Sequence, residues 1–314
     1  METSALSEFV ERHARLFVLT GAGCSTDSGI PDYRDADGGW KRAQPVTFQA
    51  FMGELLTRQR YWARSLVGWR RIRRAKPNAA HRALANLEQA GRIEVLVTQN
   101  VDRLHQAAGS TNVVDLHGRL DVVRCMSCER RVPREDVQDE LLRRNPAWAV
   151  LDARQAPDGD ADLEELDFSS FDVPPCASCG GILKPDVVFF GESVPRDRVE
   201  AAMLGLRNAD AMLVVGSSLM VYSGYRFAQA ASFAGKPVAA VNLGRTRADE
   251  LLSLKVAEPC AAALALLVER SAHFGSIGGF SCGGAETPSS LSFAFQSASE
   301  SPTPTVPVRV SNTK

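Results

Sequence analysis

The sequence of 314 residues has no surplus of either charge, with 36 Lys and Arg against 37 Asp and Glu and a formal net charge of −1. Without a basic excess it lacks the electrostatic footprint that dominates nucleic-acid affinity, so no nucleic-acid partner is expected. It also lacks any run approaching the roughly 18 to 20 apolar residues of a membrane span, and no membrane association is expected. The opening METSALSEFVERHARLFVLT mixes acids with bases, unlike a secretory signal or an acid-poor transit peptide. The expectation is a soluble, cytoplasmic protein of the reducing cytosol. Its seven cysteines are then poor candidates for a disulfide framework, and their spacing matters more than their number. No internal repeat is evident. The length allows about two domains by a prior of roughly 150 residues each, expected here to be unequal.

Short apolar runs rich in Val, Leu and Phe alternate with Ala- and Arg-rich segments of helical period. This is the pattern of an α/β fold, a parallel sheet covered by helices. The predicted strands are Leu16 to Thr20, Ile93 to Thr98, Val113 to Leu116, Ala211 to Val215 and Pro237 to Asn242. The predicted helices are Ala79 to Ala90, Arg198 to Asn208, Tyr225 to Ala234 and Ala261 to Ser271. Such sheets bind ligands beyond the carboxyl ends of their strands, which makes the residues after each run the candidates. From about Val123 to Pro185 the periodicity weakens between two Cys pairs, around the acidic APDGDADLEELDFSSFD, as in an inserted module. Residues 274–314 are rich in Gly, Ser, Thr and Pro, and a disordered tail is expected.

Four constellations carry chemistry. In RLFVLTGAGCSTDSGIPDYR a strand runs into Gly21-Ala22-Gly23 and a small-residue helix start, offering backbone amides to a pyrophosphate. The third glycine of a dinucleotide fingerprint is replaced by Thr26. Asp32 and Arg34 follow in a segment too polar for packing alone, unless they form a surface ion pair. Cys125-x-x-Cys128 and Cys176-x-x-Cys179 supply the four soft ligands of a closed tetrahedral zinc site, with a redox pair as the competing reading. Cys24, Cys260 and Cys282 are left as free thiols. His117, ending an apolar run before Gly118, has an ordinary pKa near 6.5 and suits a general base or a satisfied core position. His13, His81, His105 and His273 are weaker candidates. Finally, Gly216-Ser217-Ser218 offers hydroxyls and close backbone approach, and Asn242, before Leu243 and Gly244, stands where a dinucleotide fold carries a ribose ligand. These last two segments are also readable as ordinary strand-to-loop transitions.

GAGCSTDSGIPDYR, TQNVD, LHG, the two Cys-x-x-Cys pairs, KPDVVFFGE, GSS and VNLG follow one another in an order that resembles the sirtuin family of NAD-dependent protein deacylases. The resemblance covers roughly residues 10–270. RQRYWARSLVGW, LKPDVVFFGE and GSSLMVYSGYRF are similar to its class II branch.

The resemblance implies a discontinuous Rossmann-type NAD domain at 1–122 and 186–273, and a small zinc-ribbon domain at 123–185. An acyl-lysine protein or peptide would lie between them. NAD is then consumed as a co-substrate, yielding nicotinamide and O-acyl-ADP-ribose, with one structural zinc on Cys125, Cys128, Cys176 and Cys179. His117 would act as the base, with Asn100 and Asp102 also at the catalytic centre. Gln99, Asn100, Val101 and Asp102 would line the nicotinamide-ribose pocket, under a loop shaped by Ala22, Asp32, Tyr33 and Arg34. The remaining implied NAD contacts are Gly21, Gly23, Ser25, Gly216, Ser217, Ser218, Asn242, Leu243, Gly244 and Cys260. Val188 to Gly191 would pair with substrate backbone as a strand.

Tyr61 and Arg64 superficially resemble a pair that holds acidic acyl groups elsewhere in the family. Otherwise the Arg-rich stretch from Arg58 to Lys76 reads as a solvated helix face. Mono-ADP-ribosyl transfer and non-catalytic binding of NAD or acyl-lysine remain the alternative functions.

Overall fold

The structure is a computed structural model that describes residues 2–41, 45–151, 163, 166–265 and 267. The elements run α1 (Glu2–Arg12), β1 (Leu16–Thr20), α2 (Phe48–Gly53), α3 (Leu55–Ile72), α4 (Ala79–Gln89), β2 (Ile93–Thr98), α5 (Leu104–Ala107) and β3 (Val113–Asp115). They continue with β4 (Gly118–Cys125), β5 (Arg131–Pro133), α6 (Arg134–Arg144), α7 (Pro146–Ala149), β6 (Leu183–Val187) and α8 (Arg196–Asn208). The last are β7 (Ala211–Val215), α9 (Tyr222–Phe233), β8 (Val238–Val241) and β9 (Leu254–Val256).

Among the described residues, six strands form a parallel sheet in the order β3-β2-β1-β7-β8-β9. Its central strands are continuous apolar runs because both faces are covered. Alternation sends Val18, Leu96, Leu213 and Ala239 to one face, where Leu6, Phe9 and Val10 of α1 meet Ala83, Leu84 and Leu87 of α4. Phe17, Val97, Val214 and Ala240 point to the other face, against Ala202 and Leu206 of α8 and Phe227 and Ala231 of α9. The chain departs from β1 to β2 on one side and meets β7 on the other, so the crevice of the sheet opens beyond the carboxyl ends of β1 and β7.

A second sheet, β5-β4-β6, is antiparallel and extends from Gly118 to Val187. The weak periodicity between the Cys pairs hides an 11-residue helix, α6, whose Val137 and Leu141 join a cluster with Val123, Trp62 and Phe171. Part of the acidic stretch, 152–162 with 164 and 165, lies outside the described residues, as do the tail 274–314 and the end of the predicted helix Ala261 to Ser271. Residues 260–265 are helical.

The Arg-rich stretch is not a solvated face. In α3 every residue from Tyr61 to Trp69 is buried. Arg58 donates to the carbonyls of Phe51 and Met52 at 2.9 and 3.0 Å, and Arg70 to that of Ala149 at 3.1 Å. These guanidinium groups tie the last residues of α2 and α7 to the helix, and of the basic residues in the stretch only Arg71, Arg73, Arg74 and Lys76 are exposed.

Candidate active site

The loops after β1, β2, β7 and β8 meet because the hydrogen-bond ladder continues past the strand ends. Gly21 N–H donates to Val215 C=O at 3.0 Å, Gln99 N–H to Thr20 C=O at 2.9 Å and Gly216 N–H to Val241 C=O at 2.8 Å. A Cβ on Gly23 would lie 3.0 Å from the Gly216 Cα, and Gly216 itself has φ 62° with its Cβ direction blocked 2.2 Å away by Cys24 N. The glycines therefore let two backbones touch. Beyond Gly21 the chain forms two 3₁₀ turns, Ala22–Cys24 and Thr26–Ser28, rather than the expected helix start. Amide donors remain, but the dipole of a full helix does not.

Around this contact lies a cavity of about 1050 Å³ whose wall includes every residue for which the sequence implied a catalytic or NAD-binding role. Asn100 Nδ2 donates to Gly21 C=O and to Ser25 Oγ, each at 3.0 Å, while Ser25 Oγ donates to Asp102 Oδ2 at 2.7 Å. Burial pushes the Asp102 carboxyl above its ordinary range, opposed by the Leu104 N–H and the Ser25 hydroxyl. Ser217 Oγ donates to Gln99 Oε1 at 2.6 Å, bridging the loops after β7 and β2. Val101 anchors the floor, its C=O accepting from Leu120 N–H at 2.9 Å.

His117 stands where these loops meet β4. Its Nδ1 lies 3.2 Å from the Gln99 carbonyl, which can only accept, so Nδ1 carries the proton. The Nε2 lone pair then accepts from Ser223 Oγ at 2.7 Å. Burial lowers the imidazole to about 4 against the help of the Gln99 carbonyl, so the ring is neutral at pH 7 and Nε2 carries a lone pair. Ser223 had no role in the sequence reading, although it lies in the VYSGYRF that carried part of the resemblance.

Asp32 and Arg34 do not pair with each other. Asp32 is bridged by Lys41, whereas Arg34 donates to Gly38 C=O at 2.9 Å and stacks 3.6 Å over the Trp40 ring. Tyr33 meets the same ring edge-on at 6.2 Å, so Trp40 organises the loop. Asn242 Nδ2 donates to Gly244 C=O at 2.9 Å, which shapes the loop and leaves Leu243 exposed at the rim. A Cβ on Gly244 would meet the Ala36 carbonyl at 2.6 Å, so the loops after β1 and β8 touch there. Cys260 lines the wall, but burial pushes its thiol up to about 12 and leaves it unreactive. Burial likewise pushes the Cys24 thiol well above its ordinary value, and Cys282 lies outside the described residues.

Cys24, His81 and His105 also converge in the core behind the pocket. His105 Nε2 lies 2.9 Å from Thr20 Oγ1 and His81 Nδ1 accepts from Asn78 N–H, so both imidazoles serve as neutral packing groups. His13, just past α1, bonds the Phe9 carbonyl and packs on the Phe9 ring at 4.5 Å, and His273 lies outside the described residues. Tyr61 reaches the cavity wall, whereas the buried Arg64 does not.

Away from the cavity, Cys125, Cys128, Cys176 and Cys179 bring their sulfurs within 4.8 Å of one another. The shortest approaches run between the knuckles, Cys125 to Cys179 at 3.5 Å and Cys128 to Cys176 at 3.8 Å. A tetrahedron with Zn–S near 2.3 Å has edges of about 3.8 Å, so the donor set fits zinc, whereas a redox reading needs a pair within one knuckle. The knuckles are two copies of one turn. Glu129 N–H donates to Cys125 C=O at 3.1 Å and Gly180 N–H to Cys176 C=O at 2.8 Å, with φ 62° and 74° at the two donors. Backbone N–H groups of Cys128 and Ser127 lower the Cys125 thiol to about 6, which favours the thiolate that a metal needs.

A Rossmann-like parallel sheet with glycine turns at its crevice, joined to a four-cysteine module, defines a dinucleotide-binding α/β protein with a zinc ribbon. Residues 21–223 match the Sir2 family, and the chain belongs to it. It is 73% identical over 263 residues to an NAD-dependent protein deacetylase of Xanthomonas campestris pv. campestris strain 8004, covering 84% of this chain and 90% of that one. The NAD-dependent protein deacetylase 2 of Bradyrhizobium diazoefficiens is 68% identical, with coverage of 85% and 98%. Among solved structures, a Sir2-p53 peptide-NAD+ complex superposes with TM-score 0.70 at 32% identity, covering 87% of this chain and all 100% of that one.

Proposed function

We propose that this chain is an NAD-dependent protein-lysine deacylase of the class II branch, working in the cytoplasm. The reading divides it into an NAD domain at 1–122 and 186–273 and a zinc module at 123–185. What carries the reading is the double attachment of His117. Its ring is held by Gln99 of the nucleotide pocket, while its backbone carbonyl accepts from Val188 N–H at 2.8 Å, where the segment Val188 to Gly191 begins. One residue thereby joins the pocket for the co-substrate to the segment for the peptide.

When bound, NAD supplies the ADP-ribosyl group that receives the acyl oxygen, with nicotinamide as the leaving group. Asp102 and the amide oxygens of Gln99 and Asn100 stabilise positive charge developing at the ribose. His117 Nε2, exchanging the Ser223 hydroxyl for a ribose hydroxyl, takes up the proton. The Val188 to Gly191 segment orients the peptide backbone, itself held where Phe190 C=O accepts from Phe48 N–H at 2.8 Å. Cys125, Cys128, Cys176 and Cys179 would hold zinc as a closed site that fixes the module and leaves no position for chemistry.

Incubation with NAD and acyl-lysine peptides should release nicotinamide and form O-acyl-ADP-ribose. Absence of turnover across short and long acyl chains would overturn the reading. Label from NAD on protein instead of a small product would point to ADP-ribosyl transfer.

A further inference from the structure

Three cations line the cavity, and two of them are already engaged. Lys41 is bridged to Asp32, and Arg34 is tied to the Gly38 carbonyl and the Trp40 ring. Arg226 differs. Its guanidinium lies 5.1 Å from the Tyr222 ring centroid, it has no acidic partner among the described residues, and its Nε is buried without an acceptor. Two of the acids lining the same cavity are committed elsewhere, Asp32 to Lys41 and Glu192 to Lys184 at 3.0 Å. A desolvated donor without an acceptor is costly, and a guanidinium in that state beside a cavity is matched by an anion from the ligand.

We infer that Arg226 receives a carboxylate carried by the acyl-lysine substrate, which makes it a specificity determinant. This rests on the deacylase reading. Arg226 stands three residues after Ser223 on α9, a spacing that puts both side chains on one face. Ser223 touches the His117 ring at 2.7 Å, and the His117 carbonyl holds the start of the peptide segment at Val188. That face of α9 therefore looks toward the acyl-lysine side, whereas the phosphate-binding turns follow β1 and β7. The planar fork of Arg226 fits a carboxylate in two-point contact, and Tyr222 supports it from the ring side.

The carboxylate could end the acyl chain or belong to an acidic residue beside the lysine, and one experiment separates these. A peptide is prepared with acetyl-lysine or glutaryl-lysine, and with Gln or Glu flanking the lysine. Nicotinamide release then gives kcat and KM for the wild type, Arg226→Gln and Arg226→Lys. The wild type should favour an acidic form, and Arg226→Gln should cut the acidic-to-neutral ratio of kcat/KM about tenfold, through KM. Arg226→Lys, which keeps the charge without the fork, should retain part of the preference. A preference confined to glutaryl-lysine places the carboxylate on the acyl chain, and one confined to flanking Glu places it on the peptide. An unchanged ratio in Arg226→Gln, or a rise in KM for NAD alone, overturns the inference. Titration calorimetry of the same peptides without NAD reads the preference independently of turnover. A wild type that binds acidic peptides through Arg226 yet turns none over would sink the deacylase reading alone.

Discussion

The parallel sheet buries Val18, Leu96, Leu213 and Val241 completely under its covering helices, so apolar packing and its own backbone ladder hold the strands without a metal. The antiparallel sheet has only one strand longer than five residues, β4, and its far end is a cluster of sulfurs, with Cys128 and Cys179 exposed. A small module cannot bury enough apolar surface to hold itself, and a metal supplies the missing free energy. The consequence is a division of labour. The self-supporting sheet can spend its loop ends on polar, partly strained chemistry, while the metal-held module, on the proposed reading, supports the strand β6 that leads into Val188.

The sharpest way to break this comparison is to remove the metal. Elemental analysis should find about one zinc per chain. Chelation, or Cys176→Ser, should forfeit on the order of 10 kcal/mol of local stability in the small module. Hydrogen exchange should then open β4 to β6 while β1 and β7 stay protected. Simultaneous loss of both sheets would show them to be one cooperative unit, coupled where Leu120 of β4 packs with Ile30 and Leu104.

A smaller effect, confined to the other side, is expected from His117→Ala. Turnover should fall by about 10² to 10⁴, the usual contribution of a general base, while calorimetry still detects NAD. Retained activity would move the base elsewhere.

The five predicted strands all appear because a doubly covered parallel strand writes itself as an apolar run, as LFVLT does. The short strands β5 and β6 were not foreseen, since RVP and LKPDV carry no such run. Helix α3 was misjudged for a related reason. Its arginines look like a solvent face in sequence, but their acceptors are carbonyls near the ends of α2 and α7, which the helical period of α3 does not encode. At the site, the glycines at 21, 23 and 216 were legible as places of close backbone approach, but the contact of Gly23 with Gly216 itself was not. Ser223 was not, because its meaning depends on a hydrogen bond to a residue 106 positions away. Asp32 and Arg34 stood out as too polar for packing alone, but the sequence left an ion pair between them open, and their actual partners Lys41 and Trp40 were invisible until the loop closed on itself.

The smallest expected effect sharpens the comparison through acid. Burial in the parallel-sheet region holds His81 at about 4 and His105 well below its ordinary value, so both stay neutral in the folded state when the unfolded chain takes up protons near pH 6.5. Each folded-state pKa is depressed, so stability is fully present above about pH 6.5 and is lost as pH falls toward 4, the unfolded state binding more protons. For His81 alone the slope should approach about 1.4 kcal/mol per pH unit within that window, and about 3 kcal/mol across it. Urea unfolding of His81→Asn against the wild type at several pH values reads the slope separately from any constant cost of losing the cap on α4. A variant that is less stable but flatter by about that slope would place the acid sensitivity in the parallel-sheet core. An unchanged slope would place it elsewhere, with the protonation of the four metal-binding thiolates as the competing source.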